Sequence, residues 1–432
     1  MQPNTYRPIQ QIRDTQPIRA ACFHPSGEAY VVGTNSKALK ICKYPSLEEQ
    51  RELLECDGLL TEPEISFTCL HIHCASVYCA SFNPTGNLLA TGSNDQIVHV
   101  IKYNPIRHAP EGSEYKLSMH SGTVRDVCFL HGDDPNASSK LLSAGAGEYE
   151  IHLTDCNVMK PVQTFAGHES TVMSLTSCED STDLFVSGSL DGTIRLWDVR
   201  MRSAVCKIVG RRQASRQIHH HQRQNITADG DTSFELFQQN ENMVAESGNA
   251  NDNKHHNDDA SNRDSENHQH HHHQAGEQVF REPQHEQLDE IPSKATGVPV
   301  GVVRLDPSGR LLVSGHQDGS CMLYDIRASR VIQLFQAHAT EIRTLGFSPN
   351  SYYLLTGCYD GTVKLTDLQG HLMQPLPGVE VAELDDKVVQ VAWHPNDYNF
   401  VTTCANGSAT LWTIPDFVDW RDSIVMDTSS II

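Results

Sequence analysis

Apolar positions along the chain fall in short runs, each the length of one strand. In Val77-Tyr-Cys-Ala-Ser-Phe82 alternate residues are apolar, which predicts a strand with one face buried. Asn83-Pro-Thr-Gly86 follows as a turn, with Pro fixing φ and Gly supplying the permissive position. Leu88-Leu-Ala-Thr-Gly-Ser93 is a continuous small and apolar run, the pattern of a strand covered on both faces. The same strand–turn–strand order recurs as CFHPSGEAYVVG (Cys22–Gly33), RLDPSGRLLVSG (Arg304–Gly315) and GFSPNSYYLLTG (Gly346–Gly357).

The recurrence has a period. The small-residue step falls at Gly33, Gly92, Gly145, Gly188, Gly315 and Gly357, with a degenerate seventh at Thr403-Cys404. Successive intervals are 59, 53, 43, 127, 42 and 46 residues, and only the 127 stands out. Removing one repeat from it leaves about 85 residues of insertion. The clearest copy is Gly167-His168 followed by SGSLDGTIRLWDVR at Ser187–Arg200. Gly-His, Ser-Gly-Ser, an Asp in a tight turn and a closing Trp-Asp resemble a WD40 blade, so the chain reads as an all-β, seven-bladed β-propeller.

Ring closure needs a last strand. Blade seven ends at Ala409–Ile414, and Tyr6–Ile12 has a strand-like alternation ahead of blade one. The N-terminal strand is expected to complete the last blade and leave no open edge, with Ile9 and Ile12 as anchors. The expected division is blades one to four over 5–210, an insertion over 211–296, blades five to seven over 297–414, and a tail over 415–432.

His168, Ser187, Asp191 and Trp197 occupy the places of the hydrogen-bonded tetrad of WD-repeat blades. An imidazole held by Asp and Ser satisfies polar groups that the blade would otherwise bury unpaired. His338 and Asp360 repeat part of it in blade six, where Thr366 stands for Trp, whereas His120 in blade three faces Gly147-Glu148 and lacks the Asp. Because these histidines recur at blade period, a structural role outweighs a catalytic one.

Composition sets the insertion apart. The chain is 38% hydrophobic, but residues 210–293 are rich in Gln, Asn, His, Asp and Glu, with few aromatic or branched side chains. Such a stretch buries too little apolar surface to offset its ordering entropy, which predicts disorder. His270–His273 could take up metal ions adventitiously, and a low-complexity linker is the favoured reading. Thirteen cysteines lack pairing spacing, no signal peptide opens the chain, and no run of eighteen apolar residues occurs. A soluble, intracellular protein with reduced thiols and no membrane insertion is therefore expected. In Cys69-Leu-His-Ile-His-Cys74, Cys69, His71 and His73 would share a strand face; zinc is conceivable there, a plain blade edge more so.

Catalytic signatures are missing. The sequence has no phosphate-binding loop ending in Lys-Ser or Lys-Thr, no HExxH, no Gly-x-Ser-x-Gly and no CxxC. A non-catalytic protein-interaction scaffold is expected, without cofactor, metal or small-molecule substrate.

YRPIQQIRDTQPIRAACFHPSG (Tyr6–Gly27), LLATGSNDQIVHV (Leu88–Val100), SMHSGTVRDVCF (Ser118–Phe129), LLSAGAGEYEIHLTDC (Leu141–Cys156) and SCMLYDIR (Ser320–Arg327) go beyond the general repeat. They resemble the C-terminal propeller of the nemitin family, WD repeat-containing protein 47, over roughly 5–210 and 297–414. The resemblance implies a neuronal cytoplasmic protein, associated with the cytoskeleton, that binds microtubule-associated proteins and regulates microtubule organisation. That family also carries N-terminal LisH and CTLH helical modules. Here the repeats begin almost at Met1, so a truncated product is one expectation, and the dimerisation and partners those modules would bring are not assumed.

Charge narrows the partner class. Residues 211–296 hold 15 acidic and 8 basic side chains, so −7 of the net −21 lies there and −14 elsewhere. An acidic ring is poorly suited to nucleic acid or the acidic microtubule surface and suits a basic protein. One local exception is the run Arg195, Arg200, Arg202, Lys207, Arg211, Arg212 and Arg216; a solvated edge leading into the insertion is its simpler reading. Asp198, Arg200, Arg202, Arg211 and Arg212 are the partner-binding candidates. A rival function uses the same region: Phe185–Arg200 resembles the sixteen-residue box, ending Trp-Asp-x-Arg, by which some propellers serve as substrate receptors of cullin-ring ubiquitin ligases. Such an Arg could equally pair across blades.

Overall fold

The computed structural model describes residues 6–56, 60–131, 139–209, 297–368 and 378–415. They form seven antiparallel sheets arranged as a closed ring. Blade one, for example, runs Ile18–Phe23, Ala29–Thr34, Ala38–Lys43 and Ile65–Leu70, from the central channel outward. Each innermost strand packs against its counterpart in the next blade, and the seventh returns to the first.

The last blade is completed from the other end of the chain. Strand Arg7–Arg13 pairs antiparallel with Ser408–Thr413, so the final sheet contains both the first and the last of the described strands. Ile9 and Ile12 are each 2% exposed and pack with Ile18, Val32, Val401 and Leu411, which joins blade seven to blade one.

The repeated small-residue step has a steric cause. A Cβ on Gly33 would lie 2.7 Å from Val77 Cγ1, and one on Gly92 would lie 2.6 Å from Val124 Cγ1. Gly315 stands in the same relation to Ile342, at 2.6 Å, and Gly357 to Val388, at 2.8 Å. At these four positions the first β-branched residue of the following blade fills the space a side chain would need. At interior packing density there is no slack to absorb even a methyl group.

Polar ties reinforce the seams. The Ala21 amide donates to Gln390 Oε1 at 3.0 Å across the first and last blades, and the Val391 amide donates to Thr344 Oγ1 at 3.0 Å between six and seven. Between three and four, the Leu175 amide donates to Asp126 Oδ2 at 2.8 Å.

Two irregular connections explain the long early intervals. Helix Leu47–Glu55 interrupts blade one between its third and fourth strands, opened by a reciprocal cap between Ser46 and Glu49. In blade two, the segment from Asn104 to Tyr115 contains the short strand Ala109–Pro110. The insertion and the tail beyond Pro415 lie outside the described residues, as do the disorder expected of the first and the departure from the ring expected of the second. Among the described residues, no helix is long and apolar enough to cross a membrane. All thirteen cysteines are free thiols.

Candidate functional site

Blade four holds a continuous relay of hydrogen bonds. Trp197 Nε1 donates to Ser187 Oγ at 2.8 Å, and Ser187 Oγ lies 2.7 Å from His168 Nε2. His168 Nδ1 lies 2.8 Å from Asp191 Oδ2. An indole can only donate and a carboxylate can only accept, so the serine proton points to Nε2 and the imidazole proton to Asp191. Trp197 is fully buried, and both ring nitrogens of His168 are used within the blade. Burial lowers the pKa of His168, in keeping with a neutral ring.

Variants of this relay occupy other blades. His120 Nε2 meets Ser143 Oγ at 2.8 Å in blade three. In blade six, His338 meets Thr356 Oγ1 at 2.7 Å and Thr362 Oγ1 at 3.0 Å, with Asp360 3.7 Å away. Thr366, standing where blade four has Trp197, is fully buried. Blade seven keeps only the outer link, Trp412 Nε1 donating to Thr402 Oγ1 at 2.9 Å.

Blade two corrects the reading of Cys69–Cys74. The strand ends at Leu70, and His71 takes a positive φ of 60°, so Cys69, His71 and His73 do not share a strand face. His73 is 1% exposed, with Nδ1 3.0 Å from Asp95 Oδ2 and Nε2 2.9 Å from Thr91 Oγ1. It is blade two's counterpart of His168. The clue in the sequence was Asp95, which stands in the turn of the second blade as Asp191 does in the fourth.

His338, Cys358 and Asp360 place ligand atoms within 4.8 Å of one another, the geometry a metal ion could use. Both His338 nitrogens are already engaged by threonines, and Cys358 Sγ lies 3.1 Å from Thr340 Oγ1. A metal would have to displace those bonds.

The basic run of blade four separates into different places. Arg195 pairs with Lys207 across adjacent strands and stacks over Trp197 at 5.9 Å. Arg200 sits past the far end of the same strand. It does not reach across blades: its Nε donates to Asp198 Oδ1 at 2.9 Å and lies 3.7 Å from Asp183 Oδ2, both in blade four. These bonds hold Asp198 near pKa 2, while 71% of the Arg200 side chain remains exposed. Arg202 is exposed, and Arg211, Arg212 and Arg216 lie outside the described residues.

A second basic group, unforeseen in the sequence, surrounds the channel. In every blade the innermost strand shifts register after its first residue: between Ile18 and Ala20, Val77 and Cys79, Val124 and Asp126, and likewise in the other four. A bulge leaves one residue unpaired and re-aims its side chain. The skipped residues include Arg19, Tyr78, Arg125 and Arg343, and all seven line one cavity in the channel. Tyr78 lies between two guanidinium groups, with Arg19 Cζ 5.0 Å and Arg125 Cζ 4.8 Å from its ring centre. The signal was present: in each repeat, the residue following the β-branched residue that opens the inner strand.

Comparison with known proteins agrees with this architecture. Residues 65–102, 159–198, 293–325, 329–367 and 378–413 match the WD domain, G-beta repeat. The chain is 26% identical to a guanine nucleotide-binding protein subunit beta of Oryza sativa subsp. japonica, over 70% of this chain and 72% of that protein. The subunit beta of Zea mays is similar to the same extent. WD and tetratricopeptide repeats protein 1 of Mus musculus is 33% identical over 30% of this chain and 18% of its own length. With seven blades, the tryptophan–serine–histidine–aspartate relay in the fourth, and five segments matching the repeat model, the chain carries WD repeats in a seven-bladed β-propeller.

Proposed function

We propose that this propeller is a non-catalytic adaptor that recruits basic, microtubule-associated proteins. The observation that carries the reading is the −14 balance outside residues 211–296, on a rigid closed ring with no catalytic signature in the sequence. Such a ring attracts basic partners and repels the acidic polymer. The nemitin-like blade sequences supply the partner class. The subunit status of the rice and maize relatives supports work within an assembly.

Co-sedimentation tests it. The purified chain pellets weakly with bare microtubules and strongly once a basic microtubule-associated protein is added. Raised salt weakens that recruitment, because charges across a wet interface are screened over about 8–10 Å. Tight binding to bare microtubules, lost on reversing Arg202, Arg211 and Arg212 to Glu, would overturn the adaptor reading.

One observation favours the ligase reading as the alternative: Arg200, the last residue of the Trp-Asp-x-Arg box, is exposed and, among the described residues, pairs within its own blade. A pull-down that recovers the cullin-ring adaptor with the wild type and loses it with Arg200→Ala would establish that reading in place of the first.

A further inference from the structure

Three arginines point into one narrow cavity of a protein whose net charge is −21. Arg19, Arg125 and Arg343 come from blades one, three and six, each at a bulge that turns it out of the strand pairing and into the channel. Asp126 is the sole carboxylate among the residues lining that cavity. It is already committed, accepting from the Leu175 and Val127 amides at 2.8 and 3.0 Å, with Arg304 3.8 Å away. Arg304 in turn donates to Ser174 Oγ and the Val303 carbonyl, both at 2.8 Å. One carboxylate is thus matched by one arginine, and three further arginines remain.

Arg19 and Arg125 are oriented rather than loose. Tyr78 holds both guanidinium groups by cation–π contact, with Arg19 Cζ 5.0 Å and Arg125 Cζ 4.8 Å from its ring centre. Arg19 Nε is held by Asn35 Oδ1 at 2.8 Å. Arg125 Nε is buried and has no acceptor among the described residues. Burial pushes Arg125 below the usual arginine range, and Arg343 and Arg19 add to the effect by repulsion. An anion between them would relieve that repulsion and supply the missing acceptor.

We propose that the channel mouth binds a phosphate monoester carried on a side chain of a partner polypeptide, with Arg19, Arg125 and Arg343 as its donors. A phosphate brings close to two negative charges and three acceptor oxygens, which matches three guanidinium forks better than a carboxylate does. Size sets the rest. The cavity holds about 60 Å³, room for a phosphate-sized head group and little more. Whatever carries that group lies beyond this cavity, at the face of the ring or in the wider channel space of about 590 Å³ that shares Ala80, Asp126, Arg304 and Gln390 with it. The inference rests on the protein-scaffold reading and adds a recognition chemistry opposite in sign to the acidic exterior.

The test uses the full chain and three labelled peptide pools of random flanks, with phosphothreonine, threonine or aspartate fixed at the centre. The phosphothreonine pool is expected to bind at least about ten-fold more tightly than the other two, as charge-assisted bidentate pairing requires. Arg125→Ala and Arg343→Ala should each remove most of that preference, as should the milder Arg343→Gln, while Lys102→Ala on the exposed rim of blade two leaves it intact. Melting curves of the variants verify that the ring stays folded. Equal binding of the three pools, or a preference that survives both alanine variants, would overturn the proposal. Inorganic phosphate should compete only at millimolar concentration; if it binds as tightly as the peptide, the ligand is a free anion and the polypeptide part is wrong. The co-sedimentation above needs no phosphate, so failure of the scaffold reading would be seen separately.

Discussion

His394 Nε2 lies 3.0 Å from the carbonyl oxygen of Gly27, bridging the last blade to the first turn of blade one. His24 makes the same bond to the Gly86 carbonyl, at 3.0 Å, one seam further on. In each ring Nδ1 accepts a backbone amide two residues ahead, from Asn396 and Ser26, so the proton sits on Nε2 and donates to the carbonyl. These two turns, which close strand pairs in blades one and two, therefore also couple neighbouring blades.

That coupling makes Gly27 a sensitive position. Its φ is 83°, and a Cβ there would stand 2.5 Å from His394 Nε2. Gly27→Ala should destabilise by about 2–3 kcal/mol, backbone strain and the displaced imidazole together. Gly112 has a similar φ of 79° with nothing within 4 Å, so Gly112→Ala should cost only about 1 kcal/mol. Urea denaturation of the two variants measures the difference; equal losses would mean that the His394 bridge contributes nothing.

Ring closure depends on the N-terminal strand. Deleting Met1–Arg13 removes the partner of Ser408–Thr413 and uncovers Leu411 and Trp412, which are 1% and 9% exposed in the closed ring. An open edge with apolar neighbours templates association. The truncated protein should aggregate in size-exclusion chromatography and melt at a lower temperature. Unchanged solubility and melting temperature would show that the ring is held without this strand.

The seven-fold repeat was legible because its cause is local. Gly33, Gly92, Gly188, Gly315 and Gly357 must each be small to admit the next blade's first branched residue, as Gly33 admits Val77, so the pattern is written into most copies. The relay of blade four was legible for the same reason, since His168, Ser187, Asp191 and Trp197 each have one partner type that will serve. His73 was obscured because it was read with Cys69 and His71 as one face of a plain edge strand, although its true partner Asp95 lies 22 residues on. The helix Leu47–Glu55 was passed over despite the readable Ser46-x-x-Glu49 cap, because strand alternation dominates around it. The arginine cluster could not be assembled from spacing alone. Arg19, Arg125 and Arg343 are hundreds of residues apart at the extremes, and only ring closure brings their bulges to one channel.

The insertion should be dispensable for folding. Val209 and Gly297, the described residues on either side of it, already meet: a Cβ on Gly297 would lie 3.2 Å from Val209 Cγ1. A short Gly-Ser linker replacing 211–296 spans that gap without strain, and loop entropy changes by only about 1–2 kcal/mol over such a change in length. The deletion variant should be soluble and melt within a few degrees of the full chain. An insoluble product, or a fall of more than about ten degrees, would mean that the segment contributes to the ring.

Acid should loosen the ring through its buried histidines, and His120 isolates the effect. It is 9% exposed and hydrogen-bonded to Ser143. Burial, with nearby His152 adding to it, pushes its pKa down to about 3. In the unfolded chain the same group titrates near 6.5, so below that pH the unfolded state binds a proton that the folded state refuses. The stability present above pH 6.5 is lost as pH falls towards 3, at about 1.4 kcal/mol per pH unit. Between pH 7 and 5 this one group should remove roughly 2 kcal/mol. His120→Gln carries no titrating proton there, so it should be less stable than wild type at pH 7 and lose less on acidification. Urea denaturation of both proteins at the two pH values gives the comparison. Equal acid losses would mean that His120 titrates alike in the folded and unfolded chains, and that its burial imposes no electrostatic cost.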